Sequence, residues 1–361
     1  MRVLYVAYPL LPVTENSAGG AEQMLWTLER EIAARASLTT VAACSRSSIA
    51  GELFTTGDPP AESDAFDRRD AEHCAKIVEL VLRREGSHDA FDLIHDKSGS
   101  FWRYAGALKT PVLATLHLPR HMYRSTLFEN ISPNVFFNCV SISQAQSFRD
   151  LPRYVGAVPN GIAIERFPFQ RHKGDYLLWI GRVCEEKAPH IAINVAQRAG
   201  VPLLMAGAVY PFRYHQEYFA REIAPRLSEI TYIDWPSFQQ KLELLQQARA
   251  VLLTSTVDET SSLVAMEAMA CGTPVVAFRR GAFPEVVADG VTGFIVNDTA
   301  SMADSLARVN QIRPEACRER VERDFSATRM AHDYEALYAT VLAVHTLTPK
   351  QNATLGAPIS R

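Results

Sequence analysis

The sequence predicts an α/β protein of two domains, each built on a mainly parallel sheet. Short apolar strands alternate with amphipathic helices along most of the chain, which indicates strand–helix–strand crossovers. The first strand, Val3–Ala7, is apolar on both faces, as strands inside a covered parallel sheet are. A length of 361 residues accommodates two domains of ordinary size.

Composition and charge exclude several classes of protein. The chain is 47% apolar and 21% charged, which is typical of a globular protein, and its net charge of −3 gives no electrostatic reason to bind nucleic acid. No apolar run is long enough to span a membrane, and Pro9 and Pro12 interrupt the N-terminus too early for a signal peptide. We expect a cytoplasmic protein that meets a membrane at most peripherally, and the oligomeric state is not predicted.

The cysteines show no spacing that is typical of metal sites. We expect them to be small buried hydrophobes in a reducing compartment, and we predict no bound metal and no cofactor. The six residues are Cys44, Cys74, Cys139, Cys184, Cys271 and Cys317.

In the first half of the chain, polar residues follow several predicted strands. Gly19-Gly20 precedes a helix predicted for 21–34, and this arrangement can hold a phosphate, although a glycine pair also marks a plain turn. His95 and His117 end two apolar strands, at the edge where open α/β sheets bind ligands. His95 reads mainly as a capping or loop histidine. His117 gains a functional interpretation only together with the rest of the pattern. The other elements predicted here are strands at 38–43, 91–95, 111–116 and 134–141 and a helix at 70–84.

A turn signal at 159–162 and an irregular polar stretch at 167–174 place the domain boundary. We therefore expect domains at 1–167 and 168–326, a helix at 327–345 and a disordered tail at 346–361. The elements predicted for the second domain are strands at 176–180, 201–206, 230–233, 251–253 and 275–277 and helices at 189–198, 214–223, 238–248, 262–270, 300–309 and 314–325.

The second domain carries two charged pairs at predicted strand ends. Arg182 and Lys187 lie on the loop after the strand at 176–180. Glu259 lies in the loop after the strand at 251–253, and Glu267 lies inside the helix that follows. The N-terminus of that helix suits an anion. Two acids on either side of an anion site fit a nucleotide-sugar, which has hydroxyls at both ends and phosphates between.

Several segments together resemble glycosyltransferase family 4. They are Gly19 to Glu22, Thr115 to His117, Pro159 to Ile162, Gly181-Arg182 with Lys187, Glu259 to Val276, Pro284 to Val287 and Asp289 to Gly293. The resemblance implies the GT-B fold, in which two Rossmann-like domains face each other across a cleft and a C-terminal helix returns to the first domain. The donor is then expected on the C-terminal domain and the acceptor on the N-terminal domain.

The resemblance also implies a role for each matching residue. Glu259 would hydrogen-bond the donor sugar, Glu267 the ribose, and Arg182 and Lys187 would neutralise the diphosphate. His117 would lie near the anomeric side of the donor. Backbone N–H groups would contribute further contacts to the donor phosphates, at Gly19, Gly20, Ser261, Ser262, Leu263 and Val264.

The family uses nucleotide-sugars and retains the anomeric configuration, which is usually ascribed to front-face attack without a protein nucleophile. A UDP-sugar is the favoured donor, with GDP-mannose as the alternative, and the acceptor would be a hydroxyl of a glycan, a lipid or a small metabolite. No Asp-x-Asp pair stands at a suitable strand end, so we predict metal independence. The alternative function is a catalytically silent or epimerase-like GT-B protein that binds nucleotide-sugars.

Three positions depart from the family pattern. Ala188 follows Lys187 where glycine is usual, and Gly207-Ala208-Val209 lacks the second glycine of a common Gly-x-Gly. Ser261-Ser262 stands where Phe-Gly is frequent. The last departure leaves the identity of the donor sugar open.

Overall fold

The computed structural model describes residues 1–17, 19–59 and 66–352. The chain forms two compact units. The first contains Met1–Val140, Ala145–Pro159 and the chain from Met330 onward, and the second contains Ser141–Gln144 and Asn160–Arg329.

The first unit is built on a seven-stranded sheet with the strand order β3-β2-β1-β4-β5-β6-β7, and all of its described pairings are parallel. The central strands are buried along almost their whole length because helices cover the sheet, as the apolar first strand predicted. The strands are β1 Arg2–Val6, β2 Leu38–Ala43, β3 Glu52–Thr55, β4 Leu93–Asp96, β5 Val112–Leu116, β6 Val135–Cys139 and β7 Tyr154–Ala157, and the helices are α1 Gly20–Ala33, α2 Phe66–Arg84 and α3 Ile142–Gln146.

The second unit contains a six-stranded parallel sheet with the order β10-β9-β8-β11-β12-β13. The neighbouring strands β8 and β11 lie in the middle, so their carboxyl ends bring the two predicted charged pairs to one edge. The strands are β8 Leu177–Ile180, β9 Leu203–Ala206, β10 Thr231–Ile233, β11 Ala250–Leu253, β12 Val275–Phe278 and β13 Gly293–Val296, and the helices are α4 Pro189–Ala199, α5 Arg213–Tyr218, α6 Phe238–Gln247, α7 Leu263–Ala270, α8 Phe283–Val286, α9 Thr299–Ser305 and α10 Pro314–Asp324.

The last helix, α11 at Ala327–Asn352, packs into the first unit from Met330 onward. Tyr334 and Tyr338 are fully buried there. The helix continues beyond the end expected at 345, and residues 353–361 of the expected tail lie outside the described residues. No helix in the described ranges is both long enough and apolar enough to cross a membrane.

The structure adds elements that the sequence analysis did not predict. β3, β7 and β13 were not predicted as strands. The helix expected at 214–223 is a short α-helix, α5, followed by a π-helical turn at Phe219–Ile223. All six cysteines are buried, as expected.

Candidate donor site

The loop after β8 places Arg182 and Lys187 at the carboxyl edge of the second sheet. Gly207, at the end of β9, has a φ of 156°, and a Cβ atom there would lie 1.8 Å from the carbonyl oxygen of Gly181. Only glycine permits this approach. The backbones at the ends of β8 and β9 are therefore packed directly together, which fixes the direction in which Arg182 leaves the sheet.

Ala188 ends this loop in the left-handed conformation, with φ 46° and ψ 53°. This conformation costs an L-residue about 1–2 kcal/mol, which explains why glycine is usual at this position in the family. The Thr254 hydroxyl lies within donating distance of the carbonyl oxygens of Lys187 (2.9 Å) and Ala188 (3.0 Å). The loop is thus held against the end of β11, and Pro189 begins α4 immediately afterwards.

Lys187 and Glu259, predicted from separate motifs, meet in the structure. The Lys187 ammonium lies 2.5 Å from Oε1 of Glu259, and the hydroxyl of Ser255 donates to the same oxygen. The Glu259 side chain is only 13% exposed, whereas that of Lys187 is 35% exposed. A carboxylate can accept further hydrogen bonds at its second oxygen. The pair therefore combines a carboxylate that is held in place with an ammonium group that solvent or a ligand can reach.

The loop that carries Glu259 is fixed by Gly281, which the sequence analysis did not single out. Gly281 has a φ of 47°, and a Cβ atom there would lie 2.1 Å from the carbonyl oxygen of Glu259. Its N–H donates to the Asp258 carboxylate (3.2 Å), and Ala282 N–H donates to the Glu259 carbonyl (2.7 Å). The available signal was a glycine just after a predicted strand, which indicates a close backbone approach.

Glu267 lies on α7 and is almost fully buried, with its side chain 4% exposed. Its Oε1 is 2.7 Å from the ammonium of Lys241 on α6, and that ammonium also lies over the rings of Phe167 and Phe238. Lys241 was not among the predicted site residues, because no sequence motif marks it. A sequence cannot show which residue of α6 faces α7.

The N-terminus of α7 has the polar environment expected of an anion site. Ser262 caps the helix, and its side-chain oxygen accepts from Ala265 N–H (3.3 Å). The buried hydroxyl of Ser261 has no hydrogen-bond partner within the described ranges. Leu263 and Val264, the first two helical residues, are partly exposed. Their N–H groups belong to the helix end, where partners within the helix are lacking.

The remaining predicted site residues belong to the first unit. His117 follows β5 and is partly buried, and its backbone N–H donates to the Tyr123 hydroxyl (3.2 Å). Burial, followed by the positive charge of Lys97, holds the pKa of His117 well below its ordinary value. The imidazole is therefore neutral at pH 7 and is suited to hydrogen bonding rather than to carrying charge.

His95 is a core histidine with both ring nitrogens paired. Its Nδ1 lies 2.7 Å from the Tyr338 hydroxyl and its Nε2 lies 2.7 Å from the Thr115 hydroxyl. The Tyr338 hydroxyl is in turn 3.1 Å from that of Tyr5. This network connects α11 to the strands β1, β4 and β5. The role of His95 is therefore structural, although its partners are side chains of the core rather than a loop.

Gly19 and Gly20 lie where α1 begins, as predicted. A Cβ atom at Gly19 would lie 2.0 Å from a carboxyl oxygen of Glu22, so the glycine leaves room for that side chain. Burial raises the pKa of Glu22. The N-terminus of α1 is thus close to an acidic side chain of its own first turn. Ala18 lies outside the described residues.

Comparisons with known proteins agree with this organisation. Residues 174–311 match the family model described as Glycosyl transferases group 1. D-inositol 3-phosphate glycosyltransferase of Mycolicibacterium smegmatis is 32% identical over 168 residues, which are 45% of this chain and 38% of that protein. The enzyme of the same name from Mycolicibacterium paratuberculosis is 26% identical over 333 residues, 75% of each chain. The match therefore spans well under two thirds of the first relative's length and three quarters of the second's.

Solved structures resemble the whole chain in fold. Sucrose-phosphate synthase from Thermosynechococcus elongatus has a TM-score of 0.74 at 19% identity, covering 95% of this chain and 100% of its own. AviGT4, a glycosyltransferase involved in avilamycin A biosynthesis, has a TM-score of 0.69 at 22% identity, and the match covers 95% of this chain and 98% of AviGT4. Anabaena HepE in complex with UDP-glucose has a TM-score of 0.69 at 16% identity, covering 95% and 100%.

These likenesses, with two parallel Rossmann-like sheets, define the class of the fold as GT-B. Residues 174–311, which carry Arg182, Lys187, Glu259 and Glu267, are those that match the model of the group 1 glycosyl transferases. The family resemblance predicted from the sequence is confirmed.

Proposed function

We propose that this chain is a retaining glycosyltransferase that moves a sugar from a UDP-sugar to a hydroxyl group of an acceptor. The observation that carries the proposal is the Lys187–Glu259 ion pair. It joins the loops after the two central strands of the second sheet, and Arg182 lies on the first of these loops. Ligands of open α/β sheets bind at this edge.

The charges of this edge suit the departure of a nucleoside diphosphate. Arg182 and Lys187 supply fixed positive charge for the negative charge that develops on the leaving group, and the N-terminus of α7 adds backbone N–H groups. Lys187 is held by Glu259 before the donor arrives, so no side chain has to be recruited. Glu259 would then accept hydrogen bonds from sugar hydroxyls, and Glu267 from the ribose. These groups position the donor and do not attack it.

His117 contributes as a neutral imidazole. Because its pKa is held low, it would carry no charge in the role near the donor sugar that the family resemblance implies. The acceptor hydroxyl would attack from the face that the diphosphate leaves, and a diphosphate oxygen would take the proton. With two cationic side chains at the leaving group, transfer requires no metal.

The relatives indicate which substrates to test first. UDP-glucose leads the donor series because HepE, which shares the fold, was solved with it, and GDP-mannose is the alternative. D-inositol 3-phosphate leads the acceptor series because the curated relatives carry it in their name. Glycan and lipid hydroxyls follow.

The first experiment is a thermal-shift series with UDP-, GDP- and ADP-sugars. A ligand at 100 times its dissociation constant stabilises the folded state by about 2.7 kcal/mol. The true donor should therefore raise the melting temperature clearly more than nucleotide-sugars with the other bases do. If a nucleotide-sugar binds but is neither hydrolysed nor used for transfer with any acceptor tested, the protein would instead be the catalytically silent alternative.

The second experiment compares Arg182→Ala and Glu259→Gln with Arg198→Ala. Arg198 forms an exposed ion pair with Asp304 and serves as the control for loss of a surface arginine. We expect each of the first two variants to lose about 10²–10³-fold in kcat/KM and to stay folded, since removal of one transition-state contact has this magnitude. Wild-type activity in both would refute the proposed site.

Two further measurements test the stereochemistry and the metal independence. Proton NMR of the first product formed should show the same anomeric configuration as the donor, and an inverted product would refute retention. Transfer should persist in excess EDTA. Its complete loss, restored by one divalent ion, would refute a mechanism that relies on Arg182 and Lys187 alone.

A further inference from the structure

Beside the proposed donor site, three potential metal ligands converge. Cys184 and Glu186 lie on the loop between Arg182 and Lys187, and His215 lies on α5. One ligand atom from each lies within 4.8 Å of the other two. Cys184 and His215 are fully buried, and Glu186 is partly buried. Neither the family roles nor the donor chemistry uses any of these three side chains.

Three polar atoms of this cluster lack partners, whereas the Cys184 thiol donates to the carbonyl oxygen of Arg182 (3.6 Å). Among the described residues, neither ring nitrogen of His215 has a hydrogen-bond partner, and the same holds for Oε2 of Glu186. Buried polar atoms are nearly always paired, and each exception requires an explanation. The ring nitrogens of His215 are therefore available to bind a metal ion.

We propose that Cys184, Glu186 and His215 bind one zinc ion. Zinc takes thiolate, imidazole and carboxylate ligands together in a tetrahedral arrangement, and three protein ligands leave the fourth position to water or another small ligand. Magnesium and calcium require oxygen ligands and do not match a thiol and an imidazole. The separations, which reach at most 4.8 Å, would have to contract for all three atoms to bond one ion.

The electrostatics are compatible with the neighbouring guanidinium of Arg182. Zinc binds cysteine as the thiolate, so binding would displace the proton of the Cys184 thiol. Zinc with one thiolate, one carboxylate and one neutral imidazole has no net charge. The zinc-bound cluster therefore places no net positive charge beside Arg182.

Occupancy would connect the Arg182–Lys187 loop to α5. The ion would act on the stability and mobility of this loop and would take no part in the transfer. The proposal is independent of the proposed function, since zinc binding can be measured without donor or acceptor. Because zinc would act on the loop that carries Arg182 and Lys187, the EDTA experiment on transfer is repeated with Cys184→Ala, whose response to EDTA cannot come from this site.

The experiment uses the whole chain, freed of metal with a chelator, and titrates it with Co²⁺ and then Zn²⁺. We expect one equivalent of Co²⁺ to give a thiolate-to-metal charge-transfer band in the near ultraviolet together with the intense visible bands of tetrahedral cobalt. Zn²⁺ should abolish both and raise the melting temperature, whereas Mg²⁺ should do neither. A spectrum without the charge-transfer band would overturn the proposal in the wild-type protein, before any variant is made.

Variants then assign the ligands. Cys184→Ala and His215→Ala should lose stoichiometric binding and the zinc-dependent rise in melting temperature. Cys317→Ala, which removes a buried cysteine elsewhere in the second unit, and His88→Ala, which removes an exposed histidine, should retain both. Unchanged binding in Cys184→Ala and His215→Ala would show that zinc binds elsewhere and would overturn the site.

Discussion

Replacing Lys241 by methionine should destabilise the second unit strongly. The Lys241–Glu267 ion pair is nearly sealed from water, since the side chains are 17% and 4% exposed and their charged atoms are 2.7 Å apart. Methionine keeps much of the apolar stem but removes the ammonium, which leaves the Glu267 carboxylate buried without its counter-charge. Breaking a buried pair in this way costs 3–5 kcal/mol, and the residual exposure of Lys241 favours the lower end, about 3 kcal/mol.

Urea denaturation followed by tryptophan fluorescence measures the loss. The exposed pair of Arg213 and Glu217 supplies the control, because Arg213→Met should cost less than about 1 kcal/mol. The double variant Lys241→Met/Glu267→Gln should recover most of the lost stability, since the amide carries no charge. A cost for Lys241→Met no larger than that for Arg213→Met, or no recovery in the double variant, would refute the view that Lys241 neutralises Glu267.

Two other outcomes are expected. Gly281→Ala should weaken donor binding measured by calorimetry. The new Cβ atom would lie only 2.1 Å from the carbonyl oxygen of Glu259, so the backbone there would have to move. Unchanged affinity would contradict this positioning role. Burial lowers the pKa of Lys173 to about 8 from 10.5, so the unfolded chain holds this proton more tightly than the folded one. The unfolding free energy of wild type relative to Lys173→Met should therefore increase between pH 8 and 10.5, by roughly 2 kcal/mol after allowance for solvent screening, and a flat difference would contradict it.

Local signals in the sequence were sufficient to predict much of the secondary structure of the second unit. The strand expected at 275–277 is Val275–Phe278, and the helix expected at 262–270 is Leu263–Ala270. Apolar runs bounded by Gly and Pro mark such elements clearly. The edge strand Tyr154–Ala157 escaped because its residues are only partly buried and include a glycine, so no strong apolar pattern marks it.

The candidate site likewise contains residues that sequence motifs predicted and contacts that they could not predict. Motif spacing identified Lys187 and Glu259 separately, and the structure brings them together. The partnership of Glu267 with Lys241, and the convergence of His215 on Cys184, depend on how one helix packs against another part of the unit. No spacing along the chain encodes such contacts, because their members are distant in sequence and meet only through tertiary packing.

The hydrogen bond between Tyr5 and Tyr338 has a consequence for synthesis of the chain. It joins residues 333 positions apart, within a unit whose core includes both the first strand and the last helix. During translation the second unit, nearly contiguous from Asn160 to Arg329, is complete before the part of α11 from Met330 onward emerges from the ribosome. Until then the first unit lacks α11, so the hydroxyl of Tyr5 and the ring of His95 have no contact with Tyr338. A nascent chain stalled before Met330 should therefore expose this part of the first sheet to chaperones.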